Sequence, residues 1–238
     1  MRTRIALFVC MLFSVKAFAE KTSISLTPPD SVANRTMVKN LKWQYNIPWE
    51  WKIEVPKEVV TYYRTKSRPK WTGYFTYYSK YIEPNDKGLI NLISGLKATI
   101  TEARIKYLWD YDDEIMFVVS MVQQLKYLPD SVLGLEDYEK YPIETIMDDG
   151  GDCEDKAILC AALLKKMGYD VSMIFLETDD KSRSHIALGV NMQKVHVGSY
   201  FPRNGRQYYY VETTIPGWGI GEIPEEWDGL PGVVIEVN

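Results

Sequence analysis

The hydrophobic period changes once in the second half of this chain, and that change limits the fold more than any other feature. Ile115, Val118, Val119, Val122 and Leu125 share one face of a helix predicted over 112–127. Ala157, Ile158, Ala161 and Leu164 line a second helix predicted over 153–167, with Gly168 placed as its C-terminal cap. Beyond Gly168 the pattern shortens to strands, predicted at 171–176, 185–191 and 207–213, with a last edge strand at 233–237. Helices followed by antiparallel strands argue an α+β fold rather than a doubly wound sheet.

Upstream, Trp49 to Val55 alternates strictly and predicts a strand that Pro56 ends, and 57–66 reads as a short helix. Leu89, Ile90, Leu92, Ile93 and Leu96 suggest a further helix covered on one side. Residues 41–82 are dense in Trp and Tyr, suited to capping a cleft or holding a partner, and residues 20–40 read as a polar, mobile leader. The division expected is therefore a leader and aromatic-rich extension over 20–100 and a main domain over 101–238.

The first nineteen residues read as an address. Arg2 and Arg4 precede an eleven-residue apolar run from Ile5 to Val15, and Ala17-Phe18-Ala19 supplies small residues at a cleavage site. The run is too short to span a bilayer. Cleavage after Ala19 removes three of the 28 basic residues and none of the 32 acidic ones, leaving a net charge of −7. Such a balance excludes a nucleic-acid binder, which needs a basic face against phosphates. The expected product is exported to a periplasm or the medium, with no membrane span in its mature form.

Of three cysteines only Cys153 and Cys160 then remain. Seven residues of helix separate them by about 10.5 Å of rise, too far for a disulfide. Cys160 belongs to the buried helix face. Cys153 follows Gly150-Gly151-Asp152 and opens its helix, where the positive end of the helix dipole lowers a thiol's pKa. A cysteine nucleophile needs a base, and only His185 and His196 are available. His185 starts a strand and shares a face with Ala187 and Gly189; His196 lies in a link between strands. In Tyr208-Tyr209-Tyr210-Val211-Glu212, period two aligns Tyr208, Tyr210 and Glu212. Antiparallel pairing with the His185 strand sets Glu212 beside the imidazole. Gln123 and the Cys153 backbone N–H are the candidate oxyanion donors. Cys153→Ser is expected to abolish covalent chemistry, and Glu212→Gln, which keeps an acceptor, to be milder.

Several segments together resemble the transglutaminase-like superfamily: Tyr141-Pro142-Ile143-Glu144-Thr145, Gly151-Asp152-Cys153-Glu154-Asp155-Lys156, His185-Ile186-Ala187-Leu188-Gly189-Val190, and Tyr210-Val211-Glu212-Thr213-Thr214 with Gly217-Trp218. The likeness covers about residues 110–225. Trp43, Tyr45 and Trp49 resemble the prokaryotic exported cysteine-peptidase branch with an N-terminal extension. The resemblance implies a papain-like core and a triad of Cys153, His185 and Glu212, with Glu standing where most of the family has Asp. It implies hydrolysis or acyl transfer at amide bonds of a protein or peptide substrate, with no cofactor required. It also suggests calcium held by Asp152, Glu154 and Asp155, against the simpler account that acids suit a helix N-terminus. The alternative from another class is a catalytically silent envelope module that binds protein or peptide with the same fold.

Overall fold

The computed structural model describes residues 35–70, 73–83, 86–133 and 138–237. The proposed signal segment and the leader up to residue 34 lie outside the described residues. Two strands open the fold, β1 (Thr36–Tyr45) and β2 (Ile47–Pro56), paired antiparallel with Trp43 opposite Trp49 and Leu41 opposite Trp51. The strand β1 thus begins inside the stretch expected to be leader. Trp43, Trp49 and Trp51 all lie within contact distance of Phe117, so the hairpin's aromatic face is core, laid on a helix.

Helices follow: α1 (Lys57–Thr65), a 3₁₀ segment (Phe75–Tyr81), α2 (Ile90–Lys106) and α3 (Tyr111–Gln123). The start of α3 is fixed by Asp110, whose side chain accepts from the backbone of Asp112 and Asp113 while Asp113 returns a bond to Asp110. The chain then makes a two-residue strand, β3 (Lys126–Tyr127), a short turn of helix, α4 (Asp130–Leu133), and α5 (Pro142–Met147). A second two-residue strand, β4 (Gly150–Gly151), pairs parallel with β3.

Helix α6 (Cys153–Met167) is buried along most of its length. It ends as its sequence predicts: Gly168 takes the left-handed conformation at φ 101°. There Gly168 N–H donates to Lys165 O and Tyr169 N–H to Leu164 O. The last five strands are β5 (Val171–Glu177), β6 (Ser184–Asn191), β7 (Tyr200–Arg203), β8 (Arg206–Val211) and β9 (Gly232–Glu236). They form one antiparallel sheet in the order β7-β8-β6-β5-β9. Helix α6 lies against one face of β5 and β6. Trp227, Phe201, Ile223 and Leu230 cover Ile174, Leu176, Ala187 and Tyr210 on the other. The architecture is α+β, with helices packed on an antiparallel sheet.

Candidate active site

Two glycines bring α6 to the site by close approach, not by an unusual backbone angle. A Cβ on Gly150 would stand 2.3 Å from Lys126 O, and one on Gly151 would stand 2.4 Å from Asp155 Cβ. The β3–β4 bridge needs Gly150 bare, and the packing of the Asp155 side chain needs Gly151 bare. Cys153 follows at the first turn of α6, partly buried, and its thiol donates to Glu154 Oε2 at 3.1 Å. This departs from the expected low thiol pKa. Burial pushes the Cys153 thiol well above its ordinary value, and the Glu154 charge pushes the same way. The Ile186 backbone N–H, which faces the sulfur, opposes them.

That contact sets the sulfur beside the start of β6, where His185 is buried. Among the described residues no hydrogen bond joins Cys153 to His185. His185 Nε2 lies 3.0 Å from Glu212 Oε2, just past the end of β8. The pairing of Gly189 with Tyr210 and Asn191 with Tyr208 puts the two strands' faces in common, so Tyr210 also reaches the acid. Tyr210 OH donates to Glu212 Oε2 at 2.6 Å, and Thr214 donates to Oε1 through its backbone N–H at 2.8 Å and its hydroxyl at 2.6 Å. These donors and the imidazole hold the Glu212 carboxyl down at about 2 despite its burial, which by itself would raise it. A carboxylate only accepts, so Nε2 carries the hydrogen and Nδ1 is the free basic nitrogen. Trp227 stacks on the imidazole at 5.2 Å with ring planes 13° apart. His196 is elsewhere, 3.3 Å from Asp112.

Gln123 turns to the loop that bears the acid. Its amide donates to Glu212 O at 2.8 Å and Trp218 O at 3.0 Å, which uses both hydrogens. The residue expected to polarise substrate instead fastens the loop that bears the acid. The Cys153 N–H, at the first turn of α6 where no helical acceptor exists, is the donor that stays free of the helix ladder.

The three acids named from sequence separate. Asp155 is fully buried and turned away: Oδ1 accepts from Lys140 N–H at 2.6 Å and Oδ2 pairs with Lys140 Nζ at 3.1 Å. Asp130 takes its place. Ligand atoms of Asp130, Asp152 and Glu154 lie within 4.8 Å of one another. One oxygen each of Asp130 and Asp152 is buried with no partner. Burial and the neighbouring Glu154 and Asp130 charges lift Asp152 to about 8, and burial lifts Glu154 too. Three crowded carboxylates, two of them with a spare buried oxygen, are the donor set a hard cation such as calcium takes. Asp130 lies 22 residues before Asp152, so local spacing carries no signal of it.

No protein-family model matches the sequence, and no curated protein matches it. Solved structures with a similar course include Legionella pneumophila LapG, at 19% identity over 74% of this chain and 81% of that one, with a TM-score of 0.42. The calcium-bound form of Legionella pneumophila LapG is similar at 20% identity over the same shares, with a TM-score of 0.40. A TGase crystal structure is similar at 11% identity, covering 82% of this chain and 49% of that one, with a TM-score of 0.37.

Proposed function

We propose that this chain is an exported thiol enzyme of transglutaminase-like type that acts on amide bonds of a protein or peptide. The observation that carries the reading is the buried His185–Glu212 pair beside the cysteine that opens α6. Cys153 Sγ attacks the amide carbonyl carbon and its proton passes to His185 Nδ1. The Cys153 N–H supports the oxyanion. Collapse of the tetrahedral adduct breaks the C–N bond, and the imidazolium returns its proton to the leaving amine. Water or a second amine then takes the acyl group from sulfur. Glu212 keeps the imidazole in the Nε2–H form and stabilises its charge, with Tyr210 and Thr214 fixing the carboxylate.

Asp130, Asp152 and Glu154 would hold calcium, which when bound supplies positive charge beside the thiol and relieves the repulsion among these acids. Export rests on the Arg2-to-Ala19 segment; no helix among the described residues is long and apolar enough to cross a membrane. The test is alkylation by iodoacetamide followed by peptide mass spectrometry, in calcium and in chelator. The enzyme reading expects an adduct on Cys153 and none on Cys160, at least tenfold slower in His185→Ala. Equal rates in wild type and His185→Ala would remove the nucleophile–base pair and leave the silent binding module.

A further inference from the structure

Lys156 is a buried cation with no part in the steps above. Its side chain is fully enclosed on α6, one turn after Cys153. Its ammonium donates to three carbonyls: Gln123 O at 3.1 Å, Leu125 O at 2.9 Å and Thr214 O at 2.9 Å. All three hydrogens are thereby used. Two of the acceptors close the C-terminal end of α3, whose last carbonyls lack helical partners. A capping role alone would end there. The third bond crosses to the loop after β8, and Thr214 is the residue whose N–H and hydroxyl hold Glu212 Oε1. Gln123, the first acceptor, holds the Glu212 backbone carbonyl through its own side chain. Both routes from Lys156 therefore lead to the acid within one further residue. The titratable groups that face the ammonium are Glu212 and Cys160.

We infer that Lys156 is a positioning residue for the site: it fastens α3 and the Glu212–Thr214 loop to the helix that carries Cys153, and so sets where Glu212 holds His185. The inference rests on the enzyme reading only for its catalytic meaning. Burial of an ammonium is costly, and here it is offset by three carbonyls and a nearby carboxylate. Lys156→Met keeps the length and apolar stem but orphans all three carbonyls.

The test reads the imidazole directly. The chain holds two histidines, so the ring signals are few. In ¹H–¹⁵N spectra of wild type, the His185 Nε2 proton should lie far downfield because it is hydrogen-bonded to a buried carboxylate. Lys156→Met should move it upfield or lose it to exchange, and slow Cys153 alkylation at least tenfold. Leu163→Ala, a buried apolar truncation on the same helix, should lose stability yet keep the downfield proton. If Lys156→Met does not fold, Lys156→Gln, which keeps two donors, is measured in the same way. An unshifted proton in the folded Lys156 variant, or its loss in Leu163→Ala as well, overturns the positioning role. If wild-type Cys153 resists alkylation while the proton follows Lys156, the enzyme reading fails and the positioning stands.

Discussion

Glu212→Gln is the substitution for which the geometry adds most to the sequence. An amide keeps an acceptor, so the sequence expects a milder loss of chemistry than Cys153→Ser gives. In the structure both carboxylate oxygens accept from donors: Oε1 from the Thr214 N–H and hydroxyl, Oε2 from the Tyr210 hydroxyl and His185 Nε2. Whichever way the amide turns, its NH₂ faces a nitrogen that already donates, the Thr214 N–H on one side or His185 Nε2 on the other, and only the hydroxyls can turn to accept. Holding the carboxyl at about 2 instead of its ordinary 4.5 corresponds to about 3 kcal/mol in favour of the charged form. The folded-state value is depressed, so this stability is present above the unfolded value near 4.5 and is lost as pH falls toward 2. At pH 3 roughly 2 kcal/mol of it should already be gone. Urea unfolding should therefore find Glu212→Gln about 3 kcal/mol less stable than wild type at pH 7. The gap should narrow to about 1 kcal/mol at pH 3. A gap that stays constant with pH, or a variant as stable as wild type at pH 7, would refute the account of Glu212 as a multiply bonded anion.

Three other expectations follow from single contacts. Cys153→Ser should abolish turnover of peptide substrates and alkylation at residue 153, whereas Cys160→Ala, whose thiol makes no hydrogen bond to the site, should keep both and cost about 1 kcal/mol by calorimetry. Calcium at a hundredfold excess over its dissociation constant should stabilise the protein by about 2.7 kcal/mol, seen as a higher Tm; Asp130→Asn should reduce that response, and an undiminished one would remove Asp130 from the site. Gly150→Ala should lower stability by about 1–3 kcal/mol in urea unfolding, because the added methyl meets a backbone oxygen that cannot move without opening the β3–β4 bridge.

Much of the fold was legible because burial on one face leaves a period. The α6 helix and its Gly168 cap, the alternating β2 strand and the antiparallel sheet all carry that mark in residues that lie near one another in sequence. The elements that escaped do so for physical reasons. The β1 strand alternates Val38, Asn40 and Lys42 outward, so only Leu41 and Trp43 mark its buried face deeply. The short α5 helix has every residue from Pro142 to Ile146 buried, so it has no polar face to give a period. Two-residue strands such as β3 and β4 are too short to have one at all.

At the site, the same reasoning separates what sequence could place from what it could not. His185 and Glu212 meet because two strands in antiparallel register share a face, and period two fixes which residues those are. Asp155 was misplaced because on a helix it is one residue from Glu154 and nothing local says which way each turns; Lys140, fifteen residues upstream, decides it. The contacts of Gln123 escape for a like reason, since its partners come from the far end of the chain, at Glu212 and Trp218. The Cys153 thiol shows the limit most plainly. A helix N-terminus contributes about half a positive charge, and sequence sees that term. Against it stand burial and two carboxylates, Glu154 and Asp152, whose crowding appears only once Asp130 is folded beside them. Burial outweighs half a charge, the neighbouring acids push the same way, and the thiol is raised, not lowered. The glycines, the cysteine and the acids of the 150–155 run therefore act on sulfur together, with burial the largest part and the charges of Glu154 and Asp152 adding to it.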